Sequence, residues 1–90
     1  MGKQTDHRRP RPKIYLVEWT DSCTVGGWRR TAEPYMFEPS YCETVGYLVN
    51  MDEHAITLAL SRGADECSSE WCDLMTIPMA AVTSISELRF

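Results

Sequence analysis

Ninety residues hold one domain with a modest core, since a chain this short buries only about 60–65% of the surface it exposes when unfolded. The formal net charge of -4 hides a split: residues 1–13 carry five Lys/Arg (Lys3, Arg8, Arg9, Arg11, Lys13) against Asp6, whereas from Ile14 onward four Lys/Arg (Arg29, Arg30, Arg62, Arg89) stand against twelve Asp/Glu. A body that acidic repels phosphate, so nonspecific nucleic-acid binding is assigned to the N-terminal arm alone.

Residues 1–12 read as a flexible basic arm and residues 13–90 as a single β domain. The arm does not read as a signal peptide, because its basic residues run through Pro10 and Pro12 into only Ile14–Val17 before Glu18 interrupts. No apolar run has the length of a membrane span, so a soluble, cytoplasmic protein is expected. Lys13–Thr20 alternates, with Tyr15, Val17 and Trp19 on one face and Glu18 and Thr20 on the other, the period of a half-buried strand. A long connection from Asp21 to Glu43 follows, with a short helix expected around Glu38–Cys42. Thr44–Met51 reads as the second strand, with Val45, Tyr47, Val49 and Met51 on its apolar face. Asp52-Glu53-His54 reads as a turn, and Ala55–Leu60 as the returning strand of a hairpin. The polar stretch Ser61–Asp73 reads as a loop and Leu74–Met79 as a strand, with Pro78 marking a strand end or edge because it donates no ladder hydrogen bond. Ala80–Leu88 is expected to form one 3₁₀ turn leading into a short last strand.

Four cysteines (Cys23, Cys42, Cys67, Cys72) suit two disulfides or one tetrahedral zinc by number, but not by spacing. The one close pair, Cys67 and Cys72, has four residues between its members and no second close pair to complete it. Free thiols are expected, with no metal and no cofactor. Catalysis finds no constellation either: His54 falls in a turn and His7 in the arm, neither beside an identifiable nucleophile.

Gly46-Tyr-Leu-Val-Asn-Met-Asp52-Glu-His-Ala-Ile-Thr-Leu58 resembles the first motif of the Sm-like family: a glycine, an aliphatic residue two on, an aspartate six on, then alternating apolar positions. Thr76–Ile85 resembles the shorter second segment, in which two strands flank a brief turn. The resemblance covers about half the chain and implies a small five-stranded, bent antiparallel barrel of the Sm-like or SH3-like kind, here with a long aromatic-rich loop after the first strand. It does not carry RNA binding with it. Ala55-Ile56 stands where the family places its base-reading residue, and Pro78-Met79-Ala80 where it places Arg-Gly-Asn. The layout Trp19-Thr20-Asp21-Ser22, then Gly27-Trp28, Val45-Gly46-Tyr47-Leu48 and Ile77-Pro78 also resembles small proteins of tailed bacteriophages. That resemblance implies an accessory protein acting in the cytoplasm of an infected host.

The Asp21–Glu43 connection is where a site is expected, because loops of this length in small domains are usually functional or disordered, and disordered segments are poor in aromatics. Trp28, with Tyr35 or Tyr41, offers a flat platform, and Arg29 or Arg30 a guanidinium beside it. Trp19 adds stacking area, and Asp21 and Ser22 add hydrogen bonds. The expected role is a non-enzymatic binding module whose partner is a host protein or a small nucleotide-like ligand. The alternative is an RNA or single-stranded nucleic-acid binder working through the basic arm. Self-association is expected as well, since small barrels often extend across a subunit boundary.

Overall fold

The computed structural model describes residues 9–22, 28 and 38–89. Five antiparallel strands form one sheet: β1 (Ile14–Asp21), β2 (Ser40–Met51), β3 (Ala55–Arg62), β4 (Trp71–Pro78) and β5 (Val82–Leu88), in the spatial order β4-β3-β2-β1-β5. One 3₁₀ turn, Met79–Ala81, joins β4 to β5, as the sequence leads one to expect. The sheet is open, with β4 and β5 at its two edges. The mainly-β expectation therefore holds, whereas closure into a barrel is not seen.

The strands are longer than their apolar patterns. β2 starts at Ser40, where a short helix was expected over Glu38–Cys42, because Asp21, Thr20 and Trp19 pair in register with Ser40, Tyr41 and Cys42. Ladder hydrogen bonds to a neighbouring strand satisfy the same backbone groups that a helix of one turn would leave mostly unpaired. β3 and β4 likewise run on to Arg62 and back from Trp71, leaving 63–70 as the connection between them. Inside that connection Gly63 donates its N–H to the Glu70 carbonyl at 3.1 Å, and a Cβ at Gly63 would strike the Ser68 side chain.

The core is small. Val17, Ile56, Leu58 and Ile77 are fully buried, and Tyr15, Trp19, Leu48, Met79, Ala81, Val82 and Ile85 pack around them half-buried. Burying each aliphatic side chain contributes on the order of 1.5–3 kcal/mol. Over residues 45–48 the facing of β2 is the reverse of the expected one. Tyr15 pairs with Gly46 and Leu48 with Leu58, so Gly46 and Leu48 point to the core, while Val45 and Tyr47 lie on the opposite face with Leu16 and Ile14. Glycine is required at position 46 because a Cβ there would lie 2.9 Å from the Ala59 carbonyl oxygen and 3.0 Å from the Leu58 Cβ. A bulge between Leu48 and Asn50 then resets the register, bringing Met51 opposite Ile56.

The β2–β3 turn is held by Asp52, whose carboxylate accepts the backbone N–H groups of His54 at 2.8 Å and Ala55 at 3.0 Å. These bonds, the His54 one foremost, hold its pKa below the usual aspartate value. The contribution of Asp52 to stability is therefore complete above that usual value and is lost as the pH falls through the lowered one.

Candidate functional site

On the face of the sheet opposite Val17, Ile56, Leu58 and Ile77, one register row crosses all five strands: Leu88, Ile14, Tyr47, the buried Ala59 and Leu74. Three of them, Leu88, Ile14 and Tyr47, floor a cavity of about 840 Å³. Its wall is the segment Arg9–Lys13, in which Pro10 and Pro12 restrict the backbone. This segment is a strap tied at both ends: Arg9 donates its backbone N–H to the Ala64 carbonyl at 2.7 Å, and Leu48 donates its own to the Lys13 carbonyl at 2.8 Å. The sequence groups residues 9–12 with a flexible arm, whereas here they are tied to the sheet; residues 1–8 lie outside the described residues.

Among the described residues five cationic side chains line this cavity: Arg9, Arg11 and Lys13 from the strap, Arg62 from the end of β3 and Arg89 just after β5. They are five of the nine Lys/Arg in the whole chain. Glu87 is the one carboxylate among the described lining residues, and its Oε2 lies 3.5 Å from Arg89 Nη2. The acidic residues of the neighbouring connection, Asp65, Glu66 and Glu70, are not part of the lining.

Two of the cations are engaged, but with neutral partners. Arg9 donates from Nη1 to the carbonyls of Gly63 at 2.9 Å and Glu70 at 3.2 Å, and its guanidinium lies 4.9 Å from the centroid of the Trp71 ring. Arg62 donates to the carbonyls of Pro10 at 2.8 Å and Arg9 at 3.3 Å, and stands 5.9 Å over the Tyr47 ring. The two rings meet at 6.5 Å with a 49° tilt. Carbonyl oxygens and ring faces hold a guanidinium without cancelling its charge, as a carboxylate would. Arg11 and Lys13 are exposed. Within a mostly acidic protein the result is a concave, partly apolar surface with a local excess of positive charge.

The residues expected to form the site are distributed differently. Trp19 belongs to the shell of the core, and its Nε1 donates to Thr44 Oγ1 at 2.9 Å. Asp21 and Ser22 are exposed at the end of β1, where the Asp21 carboxylate accepts the Ser22 backbone N–H at 2.8 Å. Tyr41 is exposed on β2, and a shallow cleft of about 160 Å³ does bring it to Trp19, together with Glu18, Cys42, Glu43 and Thr83. Trp28 is fully exposed, and Arg29, Arg30 and Tyr35 lie outside the described residues. The cleft is acidic: Glu18 and Glu43 are direct cross-strand partners, so its field opposes an anion.

Sequence reasoning passed over Tyr47, Arg62 and Arg89, and assigned Arg9 and Arg11 to a flexible arm. One signal was available: Arg62 is the single Lys or Arg between Arg30 and Arg89, placed just after an apolar strand.

Among the described residues no group of three or more His, Cys, Asp or Glu is placed to hold a metal ion. Cys42, Cys67 and Cys72 are free thiols, and Cys23 lies outside the described residues. His54 sits in the exposed β2–β3 turn, 3.3 Å from Glu53. No helix among the described residues is long and apolar enough to cross a membrane. Comparison of the chain with protein-family models, curated proteins and solved structures gives no match.

Proposed function

We propose that this protein is a non-enzymatic binding module that takes a small, multiply charged anion of the nucleotide type in the pocket beneath the strap. The observation that carries the reading is the concentration of Arg9, Arg11, Lys13, Arg62 and Arg89 around one cavity of about 840 Å³ in a chain of net charge -4. Side chains of one sign are costly to gather without a counter-charge, and among the described lining residues Glu87 is the one carboxylate. The apolar floor of Ile14, Tyr47 and Leu88 suits the uncharged body of such a ligand, and exposed Arg11 and Lys13 suit its phosphates. The bent five-stranded frame of Sm-like and SH3-like domains is part of the same proposal. It is supported by Gly46 at the close approach of β2 and β3, by Asp52 in the turn, and by the 3₁₀ turn between the last two strands.

Titration with inorganic pyrophosphate and with a nucleoside triphosphate tests the reading against the aromatic-loop alternative. Arg11→Ala is expected to weaken binding about tenfold, the loss of one charge-assisted hydrogen bond. Trp28→Ala should leave both fold and affinity intact, its side chain being fully exposed. The reverse pattern would move the site to the Trp28 loop. A clear preference for single-stranded RNA over the triphosphate would favour nucleic-acid binding through the basic segment instead.

A further inference from the structure

Arg9 and Arg62 form a reciprocal clasp. Arg9 belongs to the strap and reaches the connection after β3, binding the carbonyls of Gly63 and Glu70 at its two ends. Arg62 belongs to β3 and reaches back to the strap, binding the carbonyls of Arg9 and Pro10. Arg62 and Trp71 are partners across the β3–β4 pair, so the ladder itself sets the ring on which Arg9 rests. The order along the clasp is Arg9, Trp71, Tyr47, Arg62: a cation, two rings and a second cation.

A clasp made of carboxylates would dock the strap equally well but would neutralise the pocket. Carbonyls and rings leave both charges in place, and those charges repel each other and the exposed Arg11 and Lys13 that the strap brings in. Docking the strap therefore gathers these cations in one place, and an anion that enters among them relieves their mutual repulsion. Whatever binds the docked form better than the undocked one stabilises docking by the same free energy.

We infer that the Arg9–Trp71–Tyr47–Arg62 clasp positions the strap for anion binding, so that strap docking and the binding of a ligand with two or more negative charges, such as a nucleoside di- or triphosphate, are thermodynamically coupled. This inference rests on the anion-binding reading above and deepens it. Arg9 and Arg62 are positioning residues, and Arg11 and Lys13 meet the ligand. Lysine is not an adequate substitute in the clasp: at position 62 it lacks the fork whose Nη1 and Nη2 reach the Pro10 and Arg9 carbonyls, and at position 9 it lacks the delocalised guanidinium that stands over the Trp71 ring.

The experiment titrates the full chain, as wild type, Arg9→Lys, Arg62→Lys and Trp71→Leu, with pyrophosphate over a range of salt concentrations. Hydrogen exchange at the Leu48 amide, the donor to the Lys13 carbonyl, is followed in parallel. Both lysine variants keep the charge. They are expected to bind about tenfold more weakly with the salt dependence unchanged, whereas Arg11→Ala loses both affinity and part of the salt dependence. In the wild type, pyrophosphate should slow Leu48 exchange several-fold, and in Arg9→Lys it should not. Wild-type affinity in all three clasp variants overturns the coupling while leaving the anion site standing. If Arg9→Lys fails to fold, Arg62→Lys and Trp71→Leu decide in the same way. A wild-type protein that binds no pyrophosphate removes the anion site and the coupling together.

Discussion

The two ends of β1 face the same solvent and share one core, yet they carry opposite chemistry. At the Ile14 end the strap, the end of β3 and the residue after β5 converge, and five cations surround an apolar floor. About 25 Å away, eight residues at the usual rise per residue, the Asp21 end gathers Trp19 and Tyr41 with Glu18 and Glu43. The aromatic end is assembled by neighbours in one hairpin-like pair of strands. The basic end is assembled by segments about 27 to 80 positions apart in the chain, which is why it looks like nothing in the sequence. What separates the two is how their charges are partnered: carbonyls and rings leave the cations of the strap uncancelled, whereas two cross-strand carboxylates simply repel each other.

Breaking the basic end should have the largest effect. Replacing both Arg11 and Lys13 by Glu is expected to weaken pyrophosphate binding about 100-fold, equivalent to about 2.7 kcal/mol. Calorimetric titration measures that loss, and the thermal midpoint should stay put because both side chains are exposed. An equal loss from Tyr41→Ala would put the site at the other end.

Glu87→Gln sharpens the comparison from the opposite direction. The substitution removes the one carboxylate of the described lining and frees Arg89, so anion affinity should rise about fivefold, near the 1 kcal/mol of a partly exposed ion pair. Unchanged affinity in the same titration would mean that Arg89 takes no part in binding.

Least in size is Glu18→Lys, which turns the Glu18–Glu43 cross-strand repulsion into an attraction. Chemical denaturation should show a gain of a few tenths of a kcal/mol with anion binding unaltered. A loss of stability would show that this carboxylate pair is not a source of strain.

Much of the scaffold was legible in the sequence. Period-two alternation located β1, the β2–β3 hairpin and β4, Pro78 marked the end of an edge strand, and Val82–Leu88 emerged as a strand after one 3₁₀ turn. The facing of β2 was not legible, since Val45, Tyr47, Val49 and Met51 are more apolar than Gly46 and Leu48. Only the close approach of the β3 backbone at Gly46 makes the glycine face the inner one. The start of β2 was hidden for a related reason, because Ser40–Cys42 has no strand pattern of its own and is drawn into the sheet by pairing with Trp19–Asp21.

The site divides along the same line. Local sequence determined that this chain would be a small antiparallel sheet with a basic start and an acidic body, because strand period, turn chemistry and charge are properties of neighbouring residues. Tertiary structure decided that Arg9–Lys13 would line one pocket with Tyr47, Arg62 and Arg89, because carbonyl and ring contacts between residues more than 50 positions apart leave no periodic trace in the chain.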